Sequence, residues 1–173
     1  LRRVSERHNG ARVIEKTPNN ALVFGHLSYL FPDSPLIHII RDGRDVVRSM
    51  LKKTWKQPDG TPHPISQDPA TAAAYWRDVV RAGREAARSE RVRTNYIEIR
   101  YEDLVSDAVT SRARLEDWLD VELSWSGTRA YRQHMTSESA RASIGRWKTD
   151  LQPAHREMIE TEMRGFMERW GYL

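Results

Sequence analysis

The chain has 173 residues, 30% of them charged and 39% hydrophobic, which is the balance of a folded globular domain rather than a disordered segment. Its formal net charge is +4, from 28 Lys and Arg against 24 Asp and Glu; this favours anionic ligands without selecting one. There is no cysteine, so disulfides and thiolate metal sites are excluded, and no apolar run reaches the length of a membrane span.

The opening residues, LRRVSERHNGAR, lack a hydrophobic signal core, and Leu1 stands where a start methionine would, as expected of a fragment. Leu1 to Gly10 reads as a polar helix end closed by Asn9-Gly10, and Arg12 to Lys16 as a short strand. Thr17-Pro18 is an N-cap followed by proline at the first helical position. The helix it opens places Val23, Leu27 and Leu30 on one face, beside Phe24 and Phe31, and Pro32 ends it.

Leu36 to Met50, LIHIIRDGRDVVRSM, is the stretch around which the chain is organised. Its first five residues are a buried strand, Asp42-Gly43 a turn with a helix cap, and Asp45 to Met50 a helix. A strand, tight turn and helix present an anion site: free N–H groups at the helix start, and here Arg41 with a planar fork matched to phosphate. Ser49 adds a hydroxyl eight residues on; the competing reading is a solvated arginine and a surface serine.

Lys56 to Pro69 holds four prolines and a glycine in fourteen residues and is a loop, either a substrate-facing lid or a disordered connector. Asp68-Pro69 caps a long helix with Ala72, Trp76, Val79, Val80, Gly83 and Ala87 on its core face. Asn95 to Arg100 is a third strand, Ile97 and Ile99 alternating with Glu98 and Arg100, so that one face is expected to be wet. A helical region follows with Leu115, Trp118 and Leu119 inward, then polar, irregular sequence from Val121 to Ser143 and a loop from Ile144 to Leu151. The last helix, after Pro153, is expected to bury Ile159, Met163, Phe166 and Trp170. Three strands each followed by a helix predict a single α/β domain, a parallel sheet flanked by helices with right-handed crossovers. Ligands of such sheets bind at the C-terminal strand ends, where Lys16 and Arg41 should converge.

Four motifs occur here in the order found in the sulfotransferases: EKTPNN at Glu15 to Asn20, RDGRDVVRS at Arg41 to Ser49, YEDL at Tyr101 to Leu104, and GRWK at Gly145 to Lys148. The chain resembles most the broad bacterial branch, and its RDGR form is similar to tyrosylprotein sulfotransferases. The resemblance implies transfer of a sulfuryl group from 3′-phosphoadenosine 5′-phosphosulfate to a hydroxyl or amine, leaving adenosine 3′,5′-bisphosphate, with no metal. It implies that Arg41 and Ser49 bind the 3′-phosphate and that Tyr101 lies near the adenine. Gly145, Arg146, Trp147 and Lys148 would close over the nucleotide, and Lys16 would be catalytic, stabilising the sulfuryl or leaving group. Such chemistry depends on fixed cations and positioning.

Departures from the family pattern are equally specific. Ala140 takes the place of an arginine in the longer cytosolic motif, with Arg141 next to it, and Pro18 takes the place of a catalytic histidine. A general base must therefore come from elsewhere, with His8, His26, His38 and Glu15 available and both His26 and His38 expected within packed elements. No glycine pair has phosphate-loop spacing. The fold implied is a P-loop-NTPase-like sulfotransferase fold lacking its N-terminal phosphate-loop unit, with residues 1–173 forming the C-terminal portion of the domain, inactive alone. The acceptor would be a small molecule, carbohydrate or peptide, and the location the bacterial cytoplasm. The alternative is a non-catalytic nucleotide- or nucleic-acid-binding module using Arg77, Arg81, Arg84 and Arg88; a nucleotide kinase would need a Walker loop that the sequence lacks.

Overall fold

The computed structural model describes residues 13–123 and 138–173. The helix end expected before Gly10, with His8, and most of the irregular stretch after Val121 lie outside the described residues.

Two parallel strands form the sheet, β1 (Leu36–Ile40) and β2 (Tyr96–Arg100), in register from Leu36 opposite Tyr96 to Ile40 opposite Arg100. Of the strand expected at Arg12 to Lys16, Arg12 lies outside the described residues, and Val13 to Lys16 are exposed and belong to no strand, so the described sheet has two strands, not three. An apolar alternation becomes a strand only where a neighbour completes its ladder. Before β1 come a 3-10 turn (Pro18–Val23) and the helix α1 (Phe24–Leu30). Thr17 does not cap them with its side chain; its hydroxyl donates to Glu15 instead, at 2.6 Å.

Between the strands lie α2 (Gly43–Leu51), α3 (Pro69–Ala86) and the single turn α4 (Glu90–Arg93). Asp68 caps α3 by accepting the Thr71 N–H at 2.7 Å, with Pro69 in the first turn, as the sequence predicts. Beyond β2 come α5 (Tyr101–Ser106), α6 (Ala108–Leu119), and the short turns α7 (Glu138–Arg141) and α8 (Trp147–Asp150). The final helix, α9, spans Pro153–Arg169. Ile144 to Leu151 is thus a turn running into one helical turn rather than an open loop; Gly145 starts it at φ +74°, a backbone angle that favours glycine.

The main core forms where α2, α3 and α9 meet, around Ile40, Val47, Trp76, Val80, Ile159 and Met163. On α9 the buried stripe is Ile159, Met163 and Met167, a strict four-residue step; Phe166 and Trp170 pack at its flank, half-buried. On the other side of the sheet Ile97 and Ile99 are covered by Leu104, Leu115 and Trp118. The neighbouring Ile37 and Ile39 of β1 remain 39% and 52% exposed, beside a groove of about 420 Å³ that runs past Val13, Lys16, Phe24 and Phe31.

The sheet face expected to be wet is instead packed with polar groups, most of them paired, although Arg84 Nη1 and Arg100 Nε are buried without a partner. Arg84 of α3 donates to Glu98 at 3.0 Å, and the Tyr96 hydroxyl donates to the same carboxylate at 2.6 Å. His38 is buried, with Nδ1 2.7 Å from the Tyr96 oxygen and its ring edge-on to Phe24. Burial pushes the imidazole down to about 4, against a smaller opposing pull from Glu98. Lys56 to Pro69 is not a disordered connector. It folds as a small hairpin, in which the Gln57 N–H bonds to the Thr61 carbonyl and the His63 N–H to the Trp55 carbonyl, each at 2.8 Å, followed by a 3-10 turn (Pro64–Ser66).

Candidate functional site

β1 ends at Ile40, and the chain turns at once into α2. Asp42 caps that helix by accepting the Arg44 N–H at 2.9 Å, while its own N–H donates to Glu102 at 2.9 Å. Parallel register explains the second bond, because it sets Ile40 beside Arg100 and so brings the turn after β1 against the start of α5. Glu102 is held from its other side by the Tyr172 hydroxyl, which donates to it at 2.5 Å. Burial and that carboxylate push the tyrosine well above its usual range.

The two arginines of RDGR then part company. Arg44 is 5% exposed, with four of its five N–H donors bonded. It pairs with Asp42 at 2.9 Å and Glu160 at 2.8 Å, donates to the Tyr172 carbonyl at 2.6 Å, and lies 3.8 Å over the Trp147 ring. Arg41 remains partly open, with 22% of its side chain exposed. Its guanidinium lies 4.6 Å over the Tyr101 ring and one terminal nitrogen donates to the Ser143 carbonyl at 2.6 Å. Its Nε is buried and has no partner. A buried donor without a partner is costly, and an anion or an ordered water would satisfy it; Arg84 Nη1, Arg100 Nε and Trp170 Nε1 are in the same state.

The late segment is anchored by a residue the sequence reading passed over. Asp45, in the first turn of α2, accepts the Gly145 N–H at 2.7 Å and the Trp147 N–H at 3.0 Å, and lies 3.6 Å from Arg41. The structure therefore brings Arg41, Tyr101 and the Ser143–Trp147 backbone together. The motifs imply that approach, but nothing in the sequence singles out Asp45, Glu102 or Ser143 beyond the four-residue step from Arg41 to Asp45.

Other expected site residues stand apart. Ser49 is half-buried on α2, and among the described residues no hydrogen bond joins it to Arg41. The Trp147 ring is committed to Arg44, while Arg146 and Lys148 are exposed, Arg146 lying 3.8 Å from Asp150. Asp150 also gathers Lys52 at 2.7 Å and Arg48, which hold its carboxyl well below the usual range. Ala140 is buried and Arg141 exposed. Lys16 is exposed and lines the groove along Leu36 to Ile39; Arg41 is not among the groove's lining residues.

Of the candidate bases, His38 is buried as expected, whereas His26 is exposed on α1, contrary to expectation, because α1 turns that side to solvent. Glu15 is exposed, and hydrogen bonds from Thr17 and Asn20 hold its carboxyl below the usual range. Among the described residues no three His, Asp or Glu side chains stand close enough to hold a metal ion, and no helix is long and apolar enough to cross a membrane.

A parallel sheet whose strand ends present an arginine stacked on a tyrosine, beside a late backbone segment, defines an α/β domain with a partly open cation at its strand-end edge. The chain matches the model of the Sulfotransferase family over residues 1–127, and it belongs to that family, consistent with a P-loop-like fold. The matched region contains Lys16, Arg41, Ser49 and Tyr101 and stops before Gly145. No curated protein and no solved structure matches the chain.

Proposed function

We propose that this chain is the C-terminal portion of a sulfotransferase domain of the bacterial, cytoplasmic type, and that its Arg41 edge binds the 3′-phosphate of 3′-phosphoadenosine 5′-phosphosulfate. The observation that carries the reading is the buried, unpartnered Nε of Arg41 in a guanidinium that Tyr101 and Ser143 already hold in place. An arginine fixed in this way offers a phosphate a charge-assisted bond at little ordering cost.

In this reading Arg41 binds the 3′-phosphate, Ser49 adds a hydroxyl from α2, and the Tyr101 ring provides an aromatic surface for the base. Gly145 to Lys148 cover the nucleotide with backbone and basic side chains. The donor, when bound, supplies an activated sulfuryl group on a phosphate leaving group. Lys16 offers a cation to the transferring group, and the adjacent exposed Glu15 is the carboxylate placed to orient the acceptor hydroxyl or amine and take its proton, as a weak base, because the hydrogen bonds from Thr17 and Asn20 lower its affinity for that proton. His38 is unsuited to that task, being buried, neutral and bonded to Tyr96. The acceptor is a small molecule, a carbohydrate or a peptide.

The nucleic-acid-binding alternative loses support from ion pairing on α3. Arg77 pairs with Glu162 at 2.6 Å, Arg81 with Asp78 at 3.0 Å and Arg84 with Glu98 at 3.0 Å, so three of the four arginines are already paired, and exposed Arg88 alone is a small footprint for a phosphate backbone.

Titration with adenosine 3′,5′-bisphosphate and with 5′-AMP tests the proposal. Wild-type protein should prefer the bisphosphate, and Arg41→Ala should abolish that preference with its circular dichroism unchanged. A wild type indifferent to the 3′-phosphate, or an Arg41→Ala variant that still discriminates, refutes the assignment.

A further inference from the structure

We infer that Asp45 is a positioning residue for this site: its carboxylate ties the late segment Ser143–Trp147 to Arg41, so that the cation and the backbone beside it are held as one unit. The inference rests on the sulfotransferase reading and deepens it. The Asp45 side chain is 0% exposed, deeper than any other in the site. One oxygen accepts the Gly145 N–H at 2.7 Å and lies 3.6 Å from the Arg41 guanidinium; the other accepts the Trp147 N–H at 3.0 Å. Burying a carboxylate is unfavourable unless every lone pair finds a donor. Here both donors come from a segment about a hundred residues further along the chain, and Arg41 adds its charge as an ion pair at 3.6 Å. The start of α2 adds its positive end. Arg41 closes the circuit by donating to the Ser143 carbonyl.

The charge of Asp45 is wrong for touching a phosphate, and that gives the inference a sign that can be measured. If Asp45 were only a negative charge near the pocket, removing it would strengthen binding of a 3′-phosphate. If it positions Arg41 and the late segment, the same change weakens binding, because an Asn amide would turn an N–H toward the N–H of Gly145 or Trp147.

The experiment compares wild type with Asp45→Asn, titrating adenosine 3′,5′-bisphosphate and 5′-AMP and following amide hydrogen exchange at Gly145 and Trp147. The variant should keep its circular dichroism and lose about tenfold in bisphosphate affinity (about 1.4 kcal/mol) with little change for 5′-AMP. Both amides should exchange faster. Unchanged or tighter bisphosphate binding overturns the inference. Should Asp45→Asn not fold, the wild type decides: bisphosphate must slow exchange at Gly145 and Trp147 more than 5′-AMP does, and equal protection by the two nucleotides overturns the inference. Failure of the underlying reading looks different, as a wild type that ignores the 3′-phosphate altogether, and it takes this inference with it. Failure of the inference alone is a wild type that discriminates and an Asp45→Asn variant that does so equally well.

Discussion

His38 sits on β1 three residues before Arg41, and its protonation should set the acid limit of the fold that carries the site. The imidazole is enclosed by Phe24, Tyr96 and the Gly83 backbone, and burial lowers it from 6.5 to about 4. The folded protein thus prefers neutral histidine, while the unfolded chain takes up a proton near pH 6.5. Stability from this group is complete above that value, drains away as pH falls toward 4, and declines no further below it. At 1.36 kcal/mol per pH unit, the gap between 6.5 and about 4 sets a ceiling of about 3 kcal/mol, of which about 2 kcal/mol is gone at pH 5. Urea denaturation of wild type and His38→Gln between pH 7.5 and 5 measures the effect. The variant should be less stable at neutral pH yet lose less on acidification, with equal denaturant slopes. The difference between the two proteins cancels the carboxylates. Parallel pH profiles would show that His38 does not titrate in this window and would refute the reasoning.

The same enclosure makes Gly83 sensitive. A Cβ there would stand 2.7 Å and 2.9 Å from two ring atoms of His38, which cannot swing aside without leaving Tyr96. Gly83→Ala should therefore cost about 1–3 kcal/mol from overpacking, partly offset by about 1 kcal/mol of helix propensity; a thermal melt showing a more stable variant contradicts this. Gly43→Ala meets chiefly the flexible end of Met163, with the Trp76 ring at 3.1 Å, and should be the milder change, checked in the same melts. Arg44→Ala leaves Asp42 and Glu160 without their buried partner and should cost about 3–5 kcal/mol by urea denaturation; a loss below about 1 kcal/mol would mean that the cluster is not acting as a buried ion pair.

Much of this architecture is written locally. LIHII followed by Asp42-Gly43 announces β1 and the capped start of α2, and Asp68-Pro69 announces α3, because caps and turns depend on neighbours in sequence. The failures share a cause of the opposite kind. Val13 to Lys16 has the composition of a strand, but a strand exists only with a pairing partner, and none is among the described residues. Glu98 and Arg100 looked solvated because the alternation shows which residues share a face, not that α3 brings Arg84 and α9 leads to Tyr172 against that face. In the site, motif order picked out Arg41, Tyr101 and the late segment, whose meeting follows from parallel register. Asp45 escaped notice because its importance lies in bonds to residues 100 and 102 positions away, a distance no periodicity reveals.

The two arginines of RDGR carry the same charge, three positions apart, and the structure separates what they do by what lies within their reach. Arg44 points back toward the core, where Asp42, Glu160 and the Tyr172 carbonyl take four of its five N–H donors and Trp147 covers its face. Little is left over for a ligand, so its effect should be on stability. Arg41 points along the strand-end edge, where one aromatic face and one carbonyl fix its plane yet leave Nε unpaired. A guanidinium that is oriented but unsaturated is the better anion receptor, since the fold has already met the cost of ordering it. Substituting the pair separately should therefore split the phenotypes: Arg41→Ala stays folded, with some stability lost because buried Asp45 loses its counter-charge, and loses 3′-phosphate preference, whereas Arg44→Ala loses more stability and loses it first. A variant of Arg44 that stays folded while losing only nucleotide preference would reverse this assignment.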